Sequence, residues 1–329
     1  MIAFSLVSTV LNEADRLDLS LQDLKEQTVR PNEILITDAG SDDGTFEKLK
    51  EWALTVEIPV KIFRCEGFNV AQGRNYSISH SSFGLIVSTD FGCRFHPEWL
   101  KSITGPFQDE RIFVVGGSYG ADEKQINSLA ARANYILTNG YQIRLNDKFI
   151  PSSRSIAYMK EVWEKLNGYP ENLTHAGDDQ VFGERIRASG YNVHLVKEPY
   201  VYWQRHVHWK GYARESFRYG LGDGEARLNR RNIISNILEI FLRYVFFGLL
   251  IMEMIKIVFR IAPGFELFLL IPAFFGLRSY FNSIRNWFRL RSEKYTIRVL
   301  LYSFFLIEST RISYITGYMK GIINRQVLK

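Results

Sequence analysis

The sequence predicts an α/β protein with a mostly parallel sheet covered by helices on both faces, followed by a helical region of different character. Three observations carry this. Short apolar runs alternate with helical-period segments through about the first 230 residues. Those runs are continuous in Val, Ile and Leu, as in strands buried on both faces. Beyond residue 230 they give way to long apolar stretches. At 329 residues the chain has room for about two domains, expected at 1–230 and 231–329.

The elements follow in order. "AFSLVST" (3–9) is a strand and "LDLSLQDLKEQ" (17–27) a helix with apolar residues at helical spacing. "EILITD" (33–38) is a strand, "DGTFEKLKEWAL" (43–54) a helix and "VKIFR" (60–64) a strand. "VAQGRNYSISH" (70–80) is a helix and "LIVSTD" (85–90) a strand. Such alternation builds a parallel sheet, whose ligand crevice lies beyond the C-terminal strand ends. The stretches 116–125 and 139–155 are expected to be loops that shape a pocket. "MIAFSLVSTVLNEADR" has no basic opening stretch and no small-residue cleavage site, so it is expected to hold the first strand and not a signal peptide.

The tail is more ambiguous. "ILEIFLRYVFFGLLIMEMIKIVF" (237–259) is apolar but carries Glu239, Arg243, Glu253 and Lys256. "APG" (262–264) is a turn, and 265–277 is apolar again. Arg278, Arg285, Arg289, Arg291 and Lys294 follow, then an amphipathic stretch at 297–321. No window reaches about 18 apolar residues free of charge. The expected arrangement is a membrane hairpin over about 237–277 with an in-plane amphipathic helix over about 297–321. Its basic residues would face an anionic cytoplasmic leaflet. An in-plane anchor without insertion, and a soluble helical domain or oligomer interface, are the competing readings.

Composition narrows the function little. A net charge of +6 suits an anionic partner such as a nucleotide, a phospholipid surface or nucleic acid, and equally a plain basic protein. Cys65 and Cys93 provide neither a zinc-site spacing nor a disulfide framework.

Acidic residues at the strand ends say more. Glu13 follows the first strand, Asp38 ends the second and Asp90 ends the fourth. One such acid is ordinary turn chemistry; three on one sheet edge would converge on a ligand. Asp43, in "DAGSDDGT", is as well explained as a helix cap. Asp178 and Asp179 precede "QVFGERIRASG". The helix dipole favours acids there, and one of them would also serve as a general base. "YVYWQRHVHWKGYARESFRYGLGDGEAR" (200–227) mixes His206 and His208 with Trp and Arg. It reads either as a phosphate or metal site or as an aromatic, basic membrane-interface belt.

In this order the segments resemble a family 2 glycosyltransferase with the GT-A fold, over about residues 3–225. The carriers are "STVLNEADRL", "EILITDAGSDDGT", "GFNVAQGRNYSI", "LIVSTDFGCRFHPEWL", "PSSRSIAYMKEVWEKLNGYPENL" and "GDDQVFGERIRASGY". The resemblance implies an inverting transfer of sugar from a nucleotide-sugar donor to a lipid-linked saccharide or polyprenyl-phosphate acceptor. It implies work at the cytoplasmic face of the cell membrane, in cell-surface polysaccharide or glycoconjugate synthesis, with no nucleic acid partner. Glu13 and Asp38 would hold the base and ribose, Thr9 and Val10 would offer backbone to the base, and Arg74 would lie near the diphosphate. Asp90 matches the first Asp of the family's DxD motif, which carries Mg2+ or Mn2+. Asp179 would be the base, with Asp178 in place of the usual Glu. Ser153 and Arg154 lie in a stretch that lines the sugar and acceptor pocket.

One departure is plain. The DxD motif here runs Asp90-Phe91-Gly92, so its second carboxylate is missing. Diphosphate oxygens and water would complete the metal shell, with His206 (or His208) the candidate protein ligand. Cys93 is expected to pack and not to ligate. A sugar nucleotidyltransferase is the alternative enzyme, but it usually carries a Gly-rich basic loop where "SLVSTVLNEADR" stands. A non-catalytic membrane scaffold is the alternative outside enzymes, and the intact Asp38, Asp90 and Asp179 speak against it. No G-x-G-x-x-G follows the first strand, which excludes a dinucleotide-binding oxidoreductase.

Overall fold

The computed structural model describes residues 2–141, 149–174, 176–259, 270–290 and 292–327. They form two compact units, 1–125 with 141–205 and 126–140 with 206–329. The compositional change near residue 230 falls within the second.

The first unit opens with β1 (Phe4–Val10), α1 (Ala14–Lys25), β2 (Glu33–Asp38), α2 (Thr45–Ala53), β3 (Val60–Arg64) and α3 (Val70–Ser79). It continues through β4 (Leu85–Ser88), β5 (Cys93–Phe95), α4 (Trp99–Thr104) and β6 (Val114–Ala121). After α5 (Leu129–Leu137), which belongs to the second unit, come β7 (Ile156–Met159), α6 (Lys160–Lys165), α7 (Asp178–Ala188) and β8 (Val193–Trp203). The sheet order is β3-β2-β1-β4-β7-β6-β8-β5. Pairings β1–β2, β1–β4, β2–β3 and β6–β8 are parallel, and those of β7 with its two neighbours and of β5 with β8 are antiparallel.

Because strand side chains alternate, the continuous apolar runs feed two cores. Leu6, Ile34, Ile36, Leu85 and Val87 enter one, while Val7, Leu35 and Ile86 enter the other. Each such buried side chain contributes about 1.5–3 kcal/mol, so both faces must be covered.

Several element ends differ from expectation for identifiable reasons. β4 stops at Ser88, not at 90. The Thr89 N–H still bonds the Val7 carbonyl at 3.2 Å, but its carbonyl accepts the Ser8 hydroxyl and its hydroxyl donates to the Arg154 carbonyl at 2.9 Å, so side-chain bonds replace the ladder there. α1 and α2 share one capping side chain: Asp43 accepts from the Ala14 N–H at 3.0 Å and from the Thr45 N–H at 3.0 Å. Residues 116–121, expected as loop, lie in β6. Gly116 and Gly117 give weak strand propensity, but a Cβ at either would strike Pro151 or Ser155. The glycines let the 151–155 segment lie against β6, and tertiary packing overrides propensity there.

The second unit contains α5, α8 (Trp209–Ala226), α9 (Arg230–Val258), α10 (Leu270–Gly276), α11 (Arg278–Arg289) and α12 (Ile297–Val327). α8 and α12 cross backbone to backbone: a Cβ on Gly220, Gly224, Gly317 or Gly321 would collide with the opposite helix's carbonyls. The charges that interrupt the apolar stretch of α9 are paired. Arg243, 1% exposed, donates to the Gly276 carbonyl at 2.8 Å and to Glu239 at 2.9 Å, and it pairs with Glu308. Lys256 sits 2.7 Å from Glu253. Among the described residues no helix is long and apolar enough to cross a membrane. The turn expected at 262–264 lies outside the described residues, as does Arg291.

Candidate active site

The sheet order places the carboxyl ends of β2, β1 and β4 side by side. Val10 and Asp38 are paired in register, so the acids after these strands gather on one edge. Asp38 is fully buried, and its Oδ1 accepts the N–H groups of Gly40 and Ser41 at 2.8 Å each. Its Oδ2 has no hydrogen-bond partner among the described residues. A buried acceptor left in this state is costly unless a ligand donates to it. Glu13 is half-buried just beyond β1, between Asn12 and the start of α1. Thr9 donates to the Thr37 carbonyl at 3.2 Å, and the Val10 carbonyl accepts from the Ala39 N–H at 3.0 Å.

The loop bearing Asp90 is tied at almost every residue. The Thr89 carbonyl accepts from Ser8 at 2.9 Å, and the Ser20 hydroxyl lies 2.8 Å from the Phe91 carbonyl and 2.6 Å from that of Cys93. The Gly92 carbonyl accepts from the Gln204 N–H at 3.1 Å. A Cβ at Gly92 would meet nothing within 4 Å, so the backbone beside Asp90 is open to a ligand there. Cys93 is fully buried, and burial pushes its thiol up to about 12. The enclosed thiol packs in the core among Val87, Phe91 and Phe95.

Arg74 joins this loop to the second acidic pair. α3 begins with a reciprocal cap between Asn69 and Gln72, which sets the rotation of the helix, and Arg74 points inward at 1% exposure. Its guanidinium donates to Asp90 Oδ1 at 2.9 Å and to Asp178, and lies 4.9 Å from the centre of the Tyr169 ring. Burial alone would disfavour the charge, but the carboxylates of Asp178, Asp90 and Asp179 overcome this and hold Arg74 protonated. Burial likewise pushes the Asp178 carboxyl up to about 6; Arg74 pulls it down, and the like charges of Asp179 and Asp90 push it up. The two directions agree on one picture, a cation with more carboxylate around it than it neutralises. Gly177, at φ 91°, turns the chain so that α7 starts at Asp178 with both acids in its first turn.

Asp179 is half-buried: its Oδ1 accepts the Gln180 N–H at 2.9 Å and its Oδ2 the Ser152 hydroxyl at 2.9 Å. Sequence reasoning named Ser153 and missed Ser152. Ser153 is buried and lies 3.4 Å from the Tyr169 hydroxyl, while its neighbour reaches Asp179. Arg154 stacks on Trp203, its Cζ 3.9 Å from the ring centre. His206 belongs to the second unit, where its Nε2 lies 3.3 Å from Glu215.

Among the described residues no three His, Cys, Asp or Glu side chains stand together as a metal cage. Asp90 is 34% exposed and uses one oxygen on Arg74. This donor set fits a hard cation such as Mg2+, which is held by one or two carboxylates, water and substrate phosphates and needs no all-protein cage.

A sheet of this order, with acids along its carboxyl edge, is GT-A-like. Residues 5–166 match the family described as Glycosyl transferase family 2. Glycosyltransferase AglE of Haloferax volcanii is 22% identical over 191 residues, 57% of this chain and 62% of the relative. The O-antigen chain rhamnosyltransferase RfbN of Salmonella typhimurium is 27% identical over 201 residues, 57% of this chain and 61% of the relative. The aligned region thus spans under two thirds of either relative. The mannosyltransferase PcManGT of Pyrobaculum calidifontis, solved with GDP-Man and Mn2+, superposes with a TM-score of 0.56 at 16% identity, over 98% of this chain and 87% of that one. Residues 5–166 thus form a family 2 glycosyltransferase domain.

Proposed function

We propose that the chain transfers a sugar with inversion from a nucleoside diphosphate sugar to a hydroxyl of a lipid-linked or saccharide acceptor, in polysaccharide or glycoconjugate synthesis. The observation that carries this is the buried cation Arg74, holding Asp90 and Asp178 together with Asp179 next in the chain. One carboxylate is thereby presented for a metal–diphosphate and another for a proton.

Asp38 and Glu13 would receive the nucleoside, with the unpartnered Asp38 Oδ2 accepting a ribose or base donor. Asp90 would hold a divalent cation, which, when bound, neutralises charge on the diphosphate leaving group. Asp179 takes the proton from the acceptor hydroxyl as its oxygen bonds to the anomeric carbon. The bond from that carbon to the diphosphate breaks on the opposite face, and the nucleoside diphosphate leaves. Arg74 keeps the acids oriented and the local charge balanced. The names of AglE and RfbN support the glycoconjugate setting, and the GDP-Man and Mn2+ bound to PcManGT support a nucleotide-sugar donor and a divalent ion.

The second unit is proposed to engage the cytoplasmic face of the cell membrane. What supports this is the exposure of Phe241, Ile251, Met254 and Ile257 along α9 and of Phe274 on α10. Exposed apolar surface of this extent marks a lipid or protein contact. The purified chain should release nucleoside diphosphate from one member of a panel of UDP-, GDP- and dTDP-sugars. Pyrophosphate release from a nucleoside triphosphate, without any such activity, would contradict the proposal.

A further inference from the structure

Asp179 is held by a chain of contacts that begins well away from it. Ser152, 7% exposed, lies between two charged groups: Arg154 Nη1 is 2.9 Å from its oxygen, and that oxygen is 2.9 Å from Asp179 Oδ2. The direction of these bonds is fixed by chemistry. A guanidinium only donates and an ionised carboxylate only accepts, so Ser152 receives a hydrogen from Arg154 and gives its own to Asp179.

Arg154 is itself anchored. Its Cζ lies 3.9 Å from the Trp203 ring centre and 5.4 Å from that of Tyr119. Arg205 lies 3.8 Å from the same Trp203 centre, with its Nε 2.6 Å from the Tyr141 hydroxyl. Both guanidiniums thus pack against the Trp203 ring. The backbone of the segment is fixed as well: the Ser155 carbonyl accepts the Gly117 N–H at 2.8 Å, and the Arg154 carbonyl accepts the Thr89 hydroxyl one residue before Asp90.

We propose that Trp203, Arg154 and Ser152 form a relay that fixes the carboxylate plane of Asp179, making Ser152 and Arg154 positioning residues for the base. The inference rests on the reading of Asp179 as the base. Among the described residues each Asp179 oxygen accepts one protein hydrogen, from Gln180 or from Ser152. A carboxylate has about four acceptor sites, so both oxygens keep capacity for the acceptor hydroxyl, in a plane that cannot rotate freely. The cation one hydroxyl away offsets the crowding of Asp179 with Asp178.

The test compares Ser152→Ala, Ser152→Thr, Arg154→Gln and Asp179→Asn in the full chain. It measures acceptor-dependent kcat and, by calorimetry, the affinity for the nucleotide sugar. Ser152→Ala should lower kcat roughly 10- to 100-fold, the worth of one hydrogen bond to a charged group. Donor affinity should stay within about twofold. Ser152→Thr, which keeps the hydroxyl, should restore most of kcat. Ser152→Ala with Arg154→Gln should be no worse than the more damaging single variant, because both cut one chain. Wild-type kcat in Ser152→Ala, with Asp179→Asn inactive, overturns the relay and leaves the base standing. Full transfer by Asp179→Asn overturns the base reading itself. A loss in donor affinity as large as the loss in kcat would make Ser152 a donor-binding residue and also overturn the relay. If Ser152→Ala does not fold, Ser152→Thr and Arg154→Gln decide the matter: equal losses of kcat in both overturn the role of the hydroxyl, and wild-type kcat in Arg154→Gln overturns the role of the guanidinium.

Discussion

Arg74 is shared between Asp90 and Asp178, so a change of charge on one carboxylate is felt by the other. The Asp178 carboxyl is pushed up to about 6, which has a consequence for binding. As pH falls through about 6, Asp178 gains a proton and Arg74 is drawn more fully onto Asp90, leaving that carboxylate less available to a cation. Affinity for a nucleotide sugar with Mn2+ should therefore fall between pH 7.5 and pH 5.5. In Asp178→Asn, checked for folding by circular dichroism, affinity should be low and nearly constant across that range. A variant that retains the full pH dependence would remove Asp178 from the explanation. The acids themselves are legible in the sequence, because carboxylates after strands and at a helix start form a pattern. Ser152 is not. A serine two residues ahead of an arginine has no periodicity and no motif; its role comes from a contact across 27 positions of sequence. The bridging role of Arg74 is equally hidden, since an arginine on a helix gives no sign in sequence of lying buried among acids.

At the level of elements, the sequence reveals what local periodicity encodes and misses what packing imposes. The first four strands and the helices between them are legible from continuous apolar runs and helical spacing. β6 is not, because Gly116 and Gly117 lower its propensity while close contact with Pro151 and Ser155 requires them. The crossing of α8 and α12 follows the same logic. Gly317→Ala would ordinarily strengthen a helix by about 1 kcal/mol. Here the added Cβ would strike the Phe217 carbonyl, and such overpacking costs about 1–3 kcal/mol. A Cβ added at Gly248, in α9, would meet nothing within 4 Å, so Gly248→Ala should keep the helical gain. Thermal unfolding followed at 222 nm (a helix signal) should give a lower Tm for Gly317→Ala and an equal or higher one for Gly248→Ala. The opposite order would mean that the two helices do not meet through these glycines.

For the whole molecule, the sequence indicates an α/β part and a helical part but not how the chain is shared between them. α5 lies between β6 and β7 in sequence, yet it packs with the C-terminal helices through Ala130, Ala133 and Ile136. Local patterns carry no record of such a long-range exchange. The interrupting charges of α9 argue in sequence against a simple membrane span, and their pairing partners include Glu308, 65 residues from Arg243, and Arg311, further on in α12. The exposed apolar residues of α9 and the basic residues Arg278, Arg285 and Arg289 of α11 should bring the chain onto vesicles containing anionic lipid. Flotation should be weaker for Phe241→Asp with Ile251→Asp; equal flotation would place the lipid contact elsewhere. The central claim, base-assisted transfer by Asp179, is tested most directly by one comparison on the full chain: acceptor-dependent release of nucleoside diphosphate by the wild type and by Asp179→Asn, with donor affinity measured in parallel. The account predicts a loss of about 10²- to 10⁴-fold in release, the usual worth of a positioned general base, with donor affinity nearly unchanged. Wild-type release by Asp179→Asn would contradict it.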